Sequence, residues 1–562
     1  VAEGRAGEHH AAFEAEQNMN WRHDDPLGST KPAVLLARGM RATISTLAVA
    51  GLVAVSACGS SSNTHHTVSS TLSVRLIGDY DTLNPATATS YSTQVIDNFL
   101  YDRLTAVDSN GKVHPYLATS WTTSPTSTTF HLRSNATCSD GTKVTPTVVK
   151  ASLDYLLDPK TVSPYASFIF GPDGAVPGGA TVTADDAAST VTITLKHPFS
   201  DLLSGLAQAA AGVICPAGLA NPTALKTQVF GSGPYTLTAS VRGSSYTLTR
   251  RSNYDWGKDG ATSSSLVPTV VLKVVTNDTT AANLIVSGGL NIAQISGPDV
   301  NRLQANSSYT HVPSDLYAAD PLVMNESAGL PGANPLIRKA VMFAINASDL
   351  NKAETFGHAP LVKTELTPNQ RCYNAADGSA QIGFDMTQAA SLLQQAGYTR
   401  SSNGTLTKNG KPLTLRVVGS QTQNQGPEYI RSQLASLGIN ATLSVVDEGT
   451  FVNIMYGTSQ FDVILQPLAF TYPSPWEMAA QVMPPTPPNG VDVPFIANAQ
   501  ADALFALPPM PPKERIAPFI SRVRWRSCRT ATSSRSTSTT TTGSVMERSS
   551  RSTWARLWIR LP

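Results

Sequence analysis

An α/β fold is predicted for this 562-residue chain on three observations. Between 413 and 466 strand and helix patterns alternate, which implies a parallel sheet in an open lobe. Upstream, two stretches near 334–345 and 387–396 read as helices with start and stop signals. The first half carries short runs in which apolar and polar residues alternate, the pattern of half-buried strands. The length allows about two to four domains. Hydrophobic residues at 41% suffice for large cores.

The elements follow in chain order. Residues 71–77 alternate as a strand, and Asp81 to Pro85 read as a turn. A short helix over 94–104 places Val95, Ile96, Phe99 and Leu100 on one face. Asp108 to Gly111 mark a turn, Phe130 to Arg133 a strand, and Cys138 to Thr142 a hairpin turn. Pro146 to Leu157 suit a helix with proline in its first turn. Val182-Thr183 and 190–195 read as paired strands, with Val191, Ile193 and Leu195 on one face. Asn334 is a good N-cap before Pro335, and Ile337, Ala340, Val341, Ala344 and Ile345 form a helical stripe. A second helix stops at Gly397. Then come strand 413–418, helix 427–437 closing at Gly438, strand 441–446, a short helix near 450–457 and strand 461–466.

Charged residues are only 14% of the chain, against about 25% in an average soluble protein. The net charge is +2, with no basic stripe to neutralise phosphates, which argues against nucleic acid as a partner. Nine of the Lys and Arg but only Glu547 among the acids lie in 521–562. The rest of the chain is therefore mildly acidic. The 521–562 stretch, rich in Arg, Ser and Thr, buries too little to fold and reads as a low-complexity tail, with a frameshifted reading favoured.

At the other end, Arg38 and Arg41 precede an apolar run from Ile44 to Ala57. That run is too short to span a membrane and matches a signal-peptide core. Val55-Ser56-Ala57-Cys58 resembles a bacterial lipobox, which makes Cys58 the expected lipidation site, with 58–69 as tether and 40–57 as lipoprotein signal peptide. Residues 1–39 read as an over-extended start before Met40. Cys138, Cys215 and Cys372 are left for the body, where one pair can form in any of three ways.

Catalytic patterns are sparse. No serine has glycine at both i−2 and i+2, the His-Glu-x-x-His pattern is absent, and so is the phosphate-binding Gly-x-x-x-x-Gly-Lys-Ser/Thr. Ser109 to Lys112 fit Ser-x-x-Lys only by chance in a polar turn. His65 and His66 read as a solvated pair, and Asp79 with Asp81 as a loop, not a calcium site. No cofactor, no metal and no enzyme activity are expected.

Several ordered motifs over about 70–510 carry a resemblance. These are Tyr101-Asp102-Arg103-Leu104, Asp108 to Trp121, Phe130 to Arg133, Ser139 to Thr142, Gly231-Ser232-Gly233-Pro234-Tyr235, Arg251 to Trp256, Asn334 to Ala340, and Phe384-Asp385 to Tyr398. Together they resemble family 5 extracellular solute-binding proteins, the peptide- and nickel-type receptors of ABC importers. The resemblance implies a periplasmic-binding-protein-like fold (type II, cluster C-like), a two-lobed cleft with an extra small domain. It places domain I at 70–107 and 229–320, domain II at 108–228 and domain III at 321–510. The family's C-terminal strands, which return to domain I, are expected to be missing.

The implied function is capture of a peptide or similar small solute by hinge closure and delivery to an ABC permease with separate ATPase subunits. The chain would act as a monomer, outside the cytoplasm, tethered to the membrane through Cys58. The alternatives are a secreted lipid-anchored hydrolase and a truncated, non-functional family member. The stretch Phe461 to Pro475 resembles the family's ligand-lining strand, in which peptide-binding members use an Asp to receive the ligand's ammonium group. That position is Thr471 here, and a neutral hydroxyl does not replace a desolvated carboxylate. Asp447 or Glu448 is the alternative source of charge. Tyr91, Phe470, Thr471 and Tyr472 are the candidate ligand contacts. Trp121, Tyr235 and Trp256 are read as core and interdomain packing.

Overall fold

A computed structural model describes residues 70–496, excluding 109–110, 314–316, 365, 369, 371–372, 471–473, 482–485 and 488–491, together with the strand at 556–559. The sequence readings at residues 1–69, among them Cys58, lie outside it, as do Cys372 and Cys528.

Seven strands form the largest sheet, in the order Thr310–Pro313, Arg556–Ile559, Ile292–Ile295, Thr71–Leu76, Thr269–Val274, Ser245–Arg250 and Tyr235–Val241. Thr71–Leu76 runs parallel to Thr269–Val274, with Thr71 opposite Thr269. Its outer neighbours pair antiparallel. A second, all-antiparallel sheet is built from Ala118–Thr123, Ser127–Leu132, Thr190–Leu195 and Ala180–Asp185. One continuous core, from Val74 and Leu76 through Phe130, Val191 and Ile193 to Leu248 and Leu272, joins the two sheets.

The third sheet comprises Leu322–Met324, Val463–Leu465, Thr414–Ser420 and Asn440–Val446. Thr414–Ser420 is parallel to both of its neighbours, as the strand–helix alternation requires. The sheet packs with three helices into a separate core around Ile337, Val341, Leu393, Leu415 and Ile430. Two of the segments that pass between the two cores pair as short antiparallel strands, Tyr317–Ala319 with Leu468–Phe470.

Local signals set most boundaries. Asn334 accepts from the Leu336 amide and Pro335 opens the helix Pro335–Ala344. Thr145 caps Pro146–Leu157 in the same way. Gly397 and Gly438 take the left-handed conformation, at φ of 90° and 89°, that ends the two preceding helices. Three expectations shift. The helix read over 94–104 is Tyr91–Leu100, because Ser90 caps it three residues earlier. The short helix near 450–457 is Glu448–Asn453, capped by Asp447 and followed by a wider turn at Ile454–Thr458. The strand read over 461–466 is the shorter Val463–Leu465, flanked by Asp462 and Gln466, whose amides still donate to the Arg416 and Pro321 carbonyls.

Of the three possible pairings among Cys138, Cys215 and Cys372, the Cys138–Cys215 disulfide forms. The 521–562 segment departs from a uniform low-complexity tail near its end. There Leu557, Trp558 and Ile559, residues that favour extended backbone, form a strand between Ile292–Ile295 and Thr310–Pro313.

Candidate functional site

Parallel strands end at a common edge, and in open α/β sheets that carboxyl edge is where ligands bind. Here Thr414–Ser420, Asn440–Val446 and Val463–Leu465 end together, and the residues that follow are Gln421 to Asn424, Asp447 with Glu448, and Gln466. Amides bind this edge together. The Gln421 N–H donates to the Val446 carbonyl at 2.8 Å, and the Gln423 side chain donates to the Leu465 carbonyl at 2.7 Å. Gln466 is buried and donates to Gln481 at 3.3 Å.

Three carboxyl groups beside the edge sit far above the usual carboxylate range. Burial pushes Glu354 up to about 8, although the Asn424 and Gly426 amides donate to it; Asp320 nearby adds to the rise. Burial pushes Asp320 itself up to about 7. Glu448 is also pushed up to about 7, first by burial. Asp447 behaves oppositely. Its carboxylate accepts from the Thr450 hydroxyl and amide as a helix cap, which holds it below its ordinary range.

Glu448 reaches the other core. Its Oε1 accepts from the Tyr91 amide at 3.3 Å, at the first residue of the helix Tyr91–Leu100. Further along the same face, the Ser474 hydroxyl meets Asp201. The Trp476 indole donates to the Ser167 carbonyl at 2.7 Å and packs edge-on against Phe199. The carboxyl edge thus faces the seven-stranded and antiparallel-sheet side along a continuous line of contacts.

Tyr91 lies on this line, with 37% of its surface exposed. The backbone of Phe470 lies in the paired crossing, opposite Tyr317. Thr471 and Tyr472 lie outside the described residues. Sequence reading offered Asp447 and Glu448 as equals. The structure separates them, with Asp447 committed to its own helix and Glu448 directed at the opposite lobe. Asp320, Glu354, Ser474 and Trp476 were missed, since nothing in their local sequence signals which face they occupy.

The aromatic residues read as packing are packing. Tyr235 and Trp256 are buried, and Trp121 lies against the core. A shallow groove of about 720 Å³ lined by Arg400, Thr407, Pro412 and Asn440 lies at the amino ends of the strands. Its arginine donates to the Gly404 and Leu437 carbonyls. Among the described residues no group of three or more His, Cys, Asp or Glu is placed to hold a metal. Nor is any helix among them long and apolar enough to cross a membrane.

Comparison with known proteins gives a consistent result. Residues 112–489 match the model described as bacterial extracellular solute-binding proteins, family 5 middle. The glutathione-binding protein GsiB of Escherichia coli K12 is 27% identical over 445 residues, 76% of this chain and 81% of that protein. A substrate-binding protein from Microbacterium hydrocarbonoxydans, solved with 4-hydroxybenzoate hydrazide, superposes with a TM-score of 0.67 at 30% identity, covering 78% of this chain and 87% of its own. The DppA protein of Helicobacter pylori, solved with the peptide STSA, superposes with a TM-score of 0.66 at 21% identity over 77% of this chain and 85% of its own. At that identity the likeness concerns the fold.

Proposed function

This chain belongs to the family 5 bacterial extracellular solute-binding proteins, and from that premise we propose that it captures a peptide or similar small solute for an ABC importer by closing two lobes around it. Domain I (70–107 and 229–320) and domain II (108–228) would form one lobe, and domain III (321–510) the other. Closure would turn on the paired crossings Tyr317–Ala319 and Leu468–Phe470, a hinge of two short strands. The observation that carries this reading is the carboxyl edge of the third sheet set against the helix Tyr91–Leu100. Two separately packed cores meet there in a polar, acid-rich face.

Tyr91, Phe470, Thr471 and Tyr472 are proposed to contact the ligand. With Thr471 where the family's peptide binders have Asp, a free ammonium group would not be held at that position. An extended backbone recognised as an added strand would not need it. Lipidation at Cys58 would tether a monomeric protein to the outer face of the membrane, beside the permease and its ATPase subunits.

The test is a thermal-shift and calorimetric screen of the purified chain. The panel is glutathione, the dipeptide Met-Leu, the tetrapeptide Ser-Thr-Ser-Ala, the nickel–histidine complex and 4-hydroxybenzoate hydrazide. A solute at 100 times its Kd is expected to stabilise the protein by about 2.7 kcal/mol, a shift of several degrees in Tm. Binding of none of them, with turnover of peptide or ester substrates, would replace this reading with a hydrolase.

A further inference from the structure

Gly78 and Glu448 belong to opposite lobes and compete for the same space. A Cβ added to Gly78 would overlap Glu448 Oε2, and its three nearest neighbours would all be atoms of that side chain. Gly78 is not among the glycines with positive φ, so local backbone conformation does not demand glycine there. The space it leaves is filled by a residue from the other lobe.

Glu448 also meets a backbone group that needs a partner. Tyr91 is the first residue of a ten-residue helix, and first-turn amides have no acceptor within their own helix. The Tyr91 amide donates to Glu448 Oε1, a bond that a neutral carboxyl carbonyl can accept as well. The second oxygen, Oε2, is buried without a hydrogen-bond partner. Within its own lobe Glu448 is not needed to start its helix, because Asp447 is the cap.

We propose that Glu448 is a latch, seated on Gly78 and on the N-terminus of Tyr91–Leu100, that holds the lobes closed without a ligand. The proposal rests on the two-lobed solute-binding reading above.

Proton linkage supports it. Burial raises Glu448 to about 7; the Tyr91 amide pulls it down, Asp81 raises it, the Ser90 hydroxyl lowers it, and Asp447 raises it. Asp79, next to Gly78, is engaged by Arg242, Tyr246 and the Gly243 amide. Parting the lobes returns Glu448 to water and to its ordinary 4.5. The closed form therefore holds the proton more tightly than the open form. The latch is strongest below the open-state value and weakens as pH rises through 7. Between pH 6 and pH 8 the closed-to-open ratio should fall about tenfold.

The experiment is small-angle scattering of the full, ligand-free chain at pH 6 and pH 8. The wild type is expected to expand at pH 8. Glu448→Gln, neutral but still able to accept from Tyr91, is expected to stay compact at both. Gly78→Ala should lower the closed-to-open ratio about two- to threefold in the wild-type background, where the end of the Glu448 side chain must shift, and leave it unchanged alongside Glu448→Ala, where the space is free. Equal effects of Gly78→Ala in both backgrounds would overturn the latch. So would a Glu448→Gln chain that tracks pH as the wild type does. These outcomes are separate from the solute screen. A chain that binds a panel solute but fails this cycle loses the latch alone. One that completes the cycle but binds no solute keeps a proton-linked closure and loses the solute-binding reading.

Discussion

Three donors converge on Asp102, which is fully buried. The Trp256 indole donates at 2.8 Å, the Tyr254 hydroxyl at 3.0 Å, and the Tyr116 hydroxyl completes the set. Burial raises the Asp102 pKa and these donors pull it back. Arg251 plays the complementary part, giving its guanidinium hydrogens to the carbonyls of Thr137, Cys138, Ser232 and Gly233. Asp102→Ala should cost about 3 kcal/mol or more, because three buried donors lose their acceptor at about 1 kcal/mol or more each. Urea unfolding of wild type and variant measures it; a cost below about 1 kcal/mol would mean that water or repacking replaces the carboxylate. The sequence places Asp102, Tyr116, Tyr254 and Trp256 in motifs and assigns Trp256 to packing. It does not reveal that Asp102 organises them, because partners up to 154 residues apart leave no periodic trace. Glu448 was equally ambiguous, since its role depends on what the other lobe places opposite it.

At the scale of elements, legibility followed locality. Asn334 with Pro335, Thr145 with Pro146, and the glycines at 397 and 438 announce helix ends through backbone chemistry within four residues. The hairpin Tyr235–Val241 with Ser245–Arg250 went unread although its flanking motifs were noticed. Its first strand is an outer one, mostly exposed beyond Leu237, so serine and threonine mask the apolar alternation. The disulfide was open for a related reason, as three cysteines allow three pairings and only the fold decides. Cys138 and Cys215 close a loop of 77 residues, for which chain entropy implies about 4 kcal/mol of stabilisation. Replacing both by alanine should lower the urea midpoint accordingly and steepen the denaturant slope, because the unfolded chain then expands. An unchanged midpoint would show that the reduced chain is already restrained there by other contacts.

For the whole molecule, the carboxyl groups set opposing pH limits. Asp278 is buried, which raises its pKa, but Arg75 at 2.7 Å and the Ser296 contacts prevail and hold it below its ordinary range. Its contribution is present above the unfolded value and is lost as pH falls through the folded one. Asp320 and Glu354, pushed up to about 7 and about 8, work the other way. Their folded forms hold protons that the unfolded chain releases from about pH 4 upward, so stability declines from there until pH has risen through 7 to 8. Tm should therefore peak near about pH 4, and scanning calorimetry from pH 3 to 9 checks the dome. A flat profile from 6 to 8 would mean that those two acids are more hydrated than their surroundings imply. The α/β class, the family and the separate sheets were within reach of sequence reading. The face that joins the two cores was not, since it arises when residues more than 270 positions apart meet.

The strand at Arg556–Ile559 sets an order of events. It lies between Ile292–Ile295 and Thr310–Pro313, so two strands of the first lobe await a partner made more than 200 residues later. During synthesis the third sheet, whose strands lie between 322 and 465, can be complete while the first lobe still presents two unpaired edges. Such edges are templates for pairing with other chains. For an exported protein, that interval is when a chaperone or the translocation channel itself would have to keep neighbouring nascent chains apart.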